Sequence, residues 1–589
     1  MRKALHNKRT RSMKNDRNTM KTENIRREDN LQPKTIPAYT FPDFLQTISA
    51  KYGNRTCYRI YNTNTSFTYN QIRDYADSIS SYLISMGIMK GDRIAIIGEG
   101  SPMWMIMYLG IVSIGAIAVP ILPDFPDCDV VEIISICKVK GIAASRKYMH
   151  KIAGVKNIPV FRLDDLSAIT AESGKISGYP LIKCTINRTE IAKRKPLEQD
   201  TASIIFTSGT TGASKGVMLS HLNILRCADL ATDEYVNIRP GMKAISILPM
   251  AHVYEFSLGQ IIPLMTGMEI TFLGKQPAPS IVMTALSEIR PHVMFSVPLL
   301  IEKVYKSVIL PTLNKSEVLS CLIQNHLTRP LIYHIIGRKL RRKFGGRLIF
   351  FGIGGAALDR DTEEFLHNVR FPYAIGYGLT ETSPLIAGCK PSHRSQKPGF
   401  IGKIVNDDEV ILLDKDASGT GEVAVKGPNV MKGYYQRPDL DSEVFTEDGY
   451  FRTGDLGYID EKGNLSIRGR VKTMILGPGG ENIYPKAIES IINNQDFVDE
   501  SLVIPENGGL VALVRLNLEQ MQKTLNLPLN EIRVVASDYL SQLRKEVNAK
   551  LSSFSKLTSI REQESPFERT PTLKIKRFLY DGSASAALS

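Results

Sequence analysis

ASIIFTSGTTGASKG, residues 202–216, holds the change of texture that decides the fold. ASIIF predicts a buried strand, being short, apolar and rich in β-branched residues. TSGTTGASKG, Thr207 to Gly216, follows it directly. Gly209 and Gly212 let the backbone bend closely around a ligand. Thr207, Ser208, Thr210 and Thr211 supply hydroxyls, and free N–H groups add donors for phosphate oxygens. Lys215 adds a positive charge. The GxxxxGK[ST] spacing of a P-loop is absent, and Gly216 follows the lysine. A glycine- and hydroxyl-rich turn alone is more often plain loop. Ten consecutive residues of this kind behind a buried strand make that reading poor.

Apolar strands recur on both sides of this stretch and alternate with helical segments. DRIAIIGEG at 92–100, GIAASRKYM at 141–149, KAISILPM at 243–250, MEITFLG at 268–274, HVMFSVP at 292–298 and GRLIFFGIGG at 346–355 all read as strands. Such alternation predicts an α/β fold of parallel or mixed sheets covered by helices. Ligands in such folds sit beyond the carboxyl ends of strands. From about Lys403 to Ile467, short strands and Gly/Asp turns predict a small antiparallel β subdomain. After Arg470, IYPKAIESIINNQ predicts a helix, ESLVIPENGGLVALVRL two strands around a turn, and a further helix lies near 535–551. The expected domains are a basic tail over 1–33, a large N-terminal domain over 34–470, and a smaller α+β C-terminal domain over 471–589.

The chain has 589 residues, too many for one core. Its 43% hydrophobic and 23% charged residues are ordinary for a globular protein and exclude disorder over most of the chain. The formal net charge is +14. Met1–Asp29 contributes an excess of six, from ten Lys/Arg against four Asp/Glu. That tail could touch nucleic acid or an anionic membrane, but a solvated extension is the plainer reading. Met13 and Met20 could also serve as starts, and no apolar core of a secretory signal is present. The 7 cysteines are scattered without a CxxC pair, which argues against a disulfide framework or a zinc site and favours a reducing cytoplasm. Gly100 to Pro123 carries no charge and has the length of a membrane span. Gly110, Gly115 and Pro120 interrupt it, so a buried helix around 102–113 followed by a strand at 116–121 is the better reading.

TSGTTGASKG matches without a gap the phosphate-loop signature of the adenylate-forming superfamily, which includes acyl-CoA synthetases, luciferases and nonribosomal-peptide adenylation domains. Further segments resemble that family's motifs in order: LPMAHVYE at 248–255, GIGGAAL at 352–358, YGLTETSP at 377–384, GEVAVKGPNVMKGYY at 421–435, YFRTGDLG at 450–457, RGRVKTMI at 468–475, GGENIYPKAIE at 479–489 and PTLKIKR at 571–577. The resemblance runs from about Tyr39 to Tyr580.

The resemblance implies a role for each matching residue. Tyr377, followed by Gly378, would lie against adenine. Thr380 would hydrogen-bond the α-phosphate, and Glu381 would help hold Mg²⁺, a hard cation that prefers carboxylate and phosphate oxygens. Gly354, Gly355 and Ala356 resemble the stretch that passes close to adenine and the acyl carboxylate. Asp455 would receive both ribose hydroxyls, a strong recognition mode for an ionised carboxylate. Arg470 would bind ribose or phosphate, and Lys472 falls at the interdomain hinge. Gly480 belongs to the segment that helps form the pantetheine tunnel. Lys574 would bridge the acid's carboxylate and the α-phosphate, lowering the barrier electrostatically. The family often has Ser-Gly before this lysine; Thr572-Leu573 stands here instead. His252 either lies near the acyl and thiol entrances or is a satisfied core histidine. No GxSxG elbow supports a hydrolase.

The resemblance thus implies an ATP-dependent ligase that adenylates a carboxylic acid and passes the acyl group to coenzyme A. VPLLIEKVY at 297–305 and TPTLKIKR look like long-chain fatty-acyl-CoA synthetases, although Leu299 stands where many relatives carry Arg. The rivals are an acyl-[acyl carrier protein] synthetase, an aryl- or short-chain acid ligase, and a non-catalytic lipid- or nucleic-acid-binding protein. The expected partners are a fatty acid, ATP, and coenzyme A or acyl carrier protein, with no nucleic acid. The expected location is the cytoplasm, with loose contact at the inner membrane face.

Overall fold

A computed structural model describes residues 37–581 apart from 173–174, 208–213, 233–237, 275–278, 315–321, 394, 477–481, 507–508, 553–554 and 571–574. Tyr39–Ser589 forms one compact unit. Two large sheets organise its N-terminal part. The first has nine strands in the order Gly433–Tyr434, Lys215–Ser220, Thr201–Thr207, Ile117–Ile121, Arg93–Ile97, Gly141–Ala144, Val160–Arg162, Ser167–Glu172 and Lys175–Pro180. From Thr201–Thr207 to Val160–Arg162 the neighbours run parallel. RIAII, IAVPI and ASIIF are apolar apart from Arg93 and Ser203, as expected where helices cover both faces of such strands. The uncharged stretch is the expected helix and strand: Pro102–Val112, capped by Ser101 accepting from the Trp104 N–H, then Ile117–Ile121. Among the described residues no helix is long and apolar enough to cross a membrane.

The second sheet has 13 strands. Its parallel section sets Thr56–Ile60, Glu269–Phe272, Lys243–Ser246, Val293–Ser296, Phe350–Ile353 and Tyr373–Gly378 side by side. The predicted antiparallel strands do not stand apart from it. Leu385–Gly388 pairs antiparallel with Tyr373–Gly378, and Gly402–Ile404, Asn464–Arg470, Phe451–Ile459, Gly421–Lys426 and Glu409–Leu413 continue the ladder. The β subdomain therefore grows edgewise from the parallel section. Ala387, Val423 and Leu465 form its buried centre, with Tyr377, Ile401 and Ile467 packed against them.

The residues beyond Arg470 build a three-stranded sheet of Val498–Glu506, Gly509–Leu516 and Leu557–Glu562. The predicted hairpin is its first two strands. Helices Pro485–Asn493 and Leu529–Lys550 cover it, the second beginning directly after Pro528. Ile488, Ile492, Val503, Ala512, Ile532, Leu543 and Val547 make an apolar core of its own.

Candidate active site

Four adjacent parallel strands deliver chain segments at their carboxyl ends. Lys243–Ser246 leads to His252 and Tyr254, Val293–Ser296 to Val297, Phe350–Ile353 to Gly354, Gly355 and Ala356, and Tyr373–Gly378 to Thr380 and Glu381. Tyr254 donates its hydroxyl to the Ser296 carbonyl at 3.4 Å. Its ring crosses so closely over Gly354 that an added Cβ would sit 3.0 Å from it. Gly378 is tighter still: a Cβ there would lie 1.5 Å from the Pro384 carbonyl oxygen. Gly354 and Gly378 are thus required by close approach of neighbouring chain, whereas Gly355 is required by its positive φ of 82°. Thr380 begins the short turn Thr380–Thr382 and is half-buried.

Tyr377, Asp455 and Arg470 come together. The antiparallel pairing of Phe451–Ile459 with Asn464–Arg470 sets Asp455 opposite Arg470. Arg470 Nε stands 2.7 Å from Asp455 Oδ1. Tyr377 donates its hydroxyl to Asp455 Oδ2 at 2.9 Å. Asp455 is 5% exposed, and its own N–H donates to Thr453 Oγ1 at 3.1 Å. Burial first and the Asp455 charge second push the Tyr377 phenol well above its ordinary range. Tyr377 and Asp455 stand on strands four steps apart in the sheet, about 19 Å on a flat ladder. Contact between them requires the antiparallel section to curl back on itself, with Tyr377 inside the curl.

A second group gathers at the hairpin that follows the deciding strand. Thr207 pairs with Lys215 across the antiparallel ladder. Ser208, Gly209, Thr210, Thr211 and Gly212 lie outside the described residues. The Lys215 ammonium stands 5.1 Å from the centre of the Tyr434 ring. Tyr434 donates its hydroxyl to Glu381 Oε1 at 2.9 Å. The Met431 N–H donates to the Glu381 carbonyl at 2.8 Å, and the Tyr435 N–H to the Gly216 carbonyl at 2.7 Å. Tyr434 is buried, and its phenol is raised by that burial first and by the Glu381 charge second. Sequence reasoning reached the motif GEVAVKGPNVMKGYY without singling out Tyr434. The aromatic pair ending that motif is the available signal.

His252 is half-buried, and its Nδ1 accepts from the Tyr254 N–H at 3.3 Å. Glu255, at the end of LPMAHVYE, is a further residue that sequence reasoning missed. It is 1% exposed and accepts from Ser246 Oγ at 2.6 Å and Gln260 Nε2 at 2.8 Å. Burial pushes its carboxyl up to about 7.

Lys472 lies exposed in the short turn Val471–Thr473, immediately after Arg470. Gly480 and Lys574 lie outside the described residues. Close to Lys574 in sequence, Arg577 donates to Glu489 Oε1 at 2.5 Å and to the Val503 carbonyl at 2.6 Å, tying the turn Arg577–Leu579 to the helix and sheet that precede it.

Mg²⁺ is bound by one or two carboxylates together with substrate phosphates rather than by an all-protein cage. Among the described residues no group of three or more His, Cys, Asp or Glu could hold a metal alone, and Glu381 is a half-buried carboxylate joined through Tyr434 to the Lys215 side. This donor set fits an ion that arrives with a nucleotide.

The AMP-binding enzyme family model matches residues 45–435. Over 87% of this chain and 79% of its own length, long chain acyl-CoA synthetase 6, peroxisomal, of Arabidopsis thaliana is 27% identical. 4-coumarate–CoA ligase 1 of Petroselinum crispum is 26% identical over 80% of this chain and 82% of its own. The solved structure of o-succinylbenzoate CoA synthetase (MenE) from Bacillus subtilis with its acyl-adenylate intermediate superposes with a TM-score of 0.71 at 20% identity, covering 92% of this chain and 98% of that one.

Proposed function

The chain belongs to the AMP-binding enzyme family, and on that premise we propose that it joins a long-chain fatty acid to coenzyme A through an acyl-adenylate, releasing AMP and pyrophosphate. Joining an acid to coenzyme A is what the three relatives' names share, and the third was solved with an acyl-adenylate intermediate; the long chain is the finer reading. It is supported by the 27% identity to a long-chain synthetase over most of both chains. VPLLIEKVY and LPMAHVYE support it further. The observation that carries the chemistry is the convergence at the strand ends. Tyr377, Asp455 and Arg470 stand as one cluster, and Lys215, Tyr434 and Glu381 as another.

Each cluster suits a part of the nucleotide. The buried Asp455 carboxylate takes the ribose hydroxyls, with Arg470 holding it in orientation. Tyr377 offers its ring to adenine. Lys215, with the loop that ends at it, faces the phosphates, and its charge offsets what develops as pyrophosphate departs. Glu381 is held in place by Tyr434 and would hold Mg²⁺, which supplies charge neutralisation at the phosphates when bound. Thr380 donates to the α-phosphate. Lys574 brings the acid's carboxylate to that phosphate. The residues past Arg470 form the C-terminal domain, which turns at Lys472, carrying Lys574 away and bringing the Gly480 segment in to guide the thiol. Residues 34–470 form the adenylating domain.

Fatty-acid-dependent ATP–pyrophosphate exchange tests this reading. Exchange that rises with acyl length from octanoate to palmitate is expected, followed by thioester formation on free coenzyme A. Exchange supported by aryl acids and not by palmitate would reassign the substrate. Thioester formed only on holo acyl carrier protein would reassign the acceptor.

A further inference from the structure

The helix Arg329–Lys343 is the last element of the connection between the strands Val293–Ser296 and Phe350–Ile353, both of which end at the candidate site. One face is anchored. Leu340 and Phe344 enter the core, and Gly337 approaches the Val369 carbonyl so closely that a Cβ would lie 2.1 Å from its oxygen. Arg290 Nε, donating to the Gly345 carbonyl at 3.0 Å, fixes the end.

The opposite face has an order along its length. Leu327 is 90% exposed, Leu331 62% and Ile335 43%. These residues recur every fourth position and so share one side of the helix and the turn before it. One turn further on, the same side carries Arg338, Lys339 and Arg342, all exposed. No Asp or Glu occurs between positions 318 and 358. A soluble chain does not gain by holding three aliphatic side chains in water beside a cluster of cations. Aliphatics at one end and cations at the other match a phospholipid surface, where acyl chains receive the first and phosphates pair with the second.

We propose that this face docks on an anionic phospholipid bilayer, with Leu327, Leu331 and Ile335 entering the acyl boundary and Arg338, Lys339 and Arg342 on the headgroups. Nucleic acid would match the cations but gives the leucines no apolar phase. A second copy is disfavoured by charge, since the chain carries +14 overall and this face would meet its like. The docking does not depend on the length of the acid that the enzyme takes.

The test is co-sedimentation of the full-length protein with vesicles of phosphatidylcholine alone, or mixed with phosphatidylglycerol. Binding is expected to the mixed vesicles and to weaken with salt. The pair Leu331→Asp/Ile335→Asp and the pair Arg338→Glu/Lys339→Glu should each reduce it by about tenfold or more, with the thermal midpoint and circular dichroism of wild type. Leu331→Gln/Lys339→Gln serves in place of either pair that fails to fold, and should reduce binding in the same direction. Four results would overturn the proposal: no binding to mixed vesicles; wild-type binding by the helix variants, which would place attachment elsewhere, as in the basic tail; binding to duplex DNA in preference to vesicles; or a dimer that the Leu331→Asp/Ile335→Asp pair dissociates.

Discussion

Tyr434 donates its hydroxyl to Glu381 at 2.9 Å while the Lys215 ammonium lies 5.1 Å from the same ring. One buried side chain thus spaces the cation expected at the phosphates from the carboxylate expected at the metal. Tyr434→Phe keeps the ring and removes the hydrogen bond. A loss of about 1 kcal/mol or slightly more is expected, read as a fivefold to tenfold fall in exchange rate and a higher Mg²⁺ requirement. Exchange measured across a Mg²⁺ titration checks it; an unchanged Mg²⁺ dependence would detach Tyr434 from the site.

Asp455 anchors two partners, so Asp455→Asn leaves Arg470 without its carboxylate and weakens the acceptor for Tyr377. The KM for ATP is expected to rise tenfold or more, roughly 1.4–3 kcal/mol of binding. Tyr377→Phe should cost only about 1 kcal/mol, because the ring stays. Steady-state kinetics of both variants separate a ribose contact from a purely structural one, which would lower the thermal midpoint without moving KM.

Glu255 makes stability depend on pH. Burial raises its carboxyl from an ordinary 4.5 to about 7. Between those values the folded chain keeps a proton that the unfolded chain has released. The stability this proton confers is complete below the lower value and is lost as pH climbs through the upper one. Glu363 and Asp408, raised by burial to about 7 and about 8, tilt the whole protein in the same direction. Comparison of wild type with Glu255→Gln isolates one group. The variant should gain on wild type by roughly 2–3 kcal/mol between about pH 5 and about pH 8 in urea denaturation. An equal offset at both values would mean that the carboxyl is ionised throughout.

Gly354 and Tyr254 share one space. Gly354→Ala forces a methyl against the ring at 3.0 Å and should lower exchange severalfold. Tyr254→Leu makes room, so the double variant should lose less than the two single losses combined, with a coupling of about 1 kcal/mol. Additive losses in the cycle would separate the two positions.

Lys574 carries the prediction that divides the reaction. Lys574→Ala should abolish acyl-adenylate formation from acid and ATP yet leave thioester formation from supplied acyl-adenylate. Equal loss of both steps would remove the lysine from the role that its place in PTLKIKR implies.

The sequence made the parallel strands legible because RIAII, IAVPI and ASIIF are buried on both faces and show it in composition alone. It marked Asp455, Arg470 and Tyr377 one by one, through motifs. Their contact was not legible: Tyr377 and Asp455 are 78 residues apart, and only the curl of the sheet brings them together. Tyr434 and Glu381, 53 residues apart, were hidden for the same reason. Glu255 stands inside a family motif, but nothing local says that a glutamate is buried; its partners Ser246 and Gln260 come from a strand end and the next helical turn. The small β subdomain was legible because turn residues announce short strands, while the edge to which they bond leaves no mark in composition.

The latch between Tyr377 and Asp455 also says something about the sugar. The protein keeps a hydroxyl of its own on the carboxylate where a ribose hydroxyl would bind, much as a lock keeps a blank in its keyway. On the proposed reading, an arriving nucleotide would share that oxygen or evict the tyrosine from it. Eviction would transfer the job of holding the rolled sheet from the polypeptide to the guest.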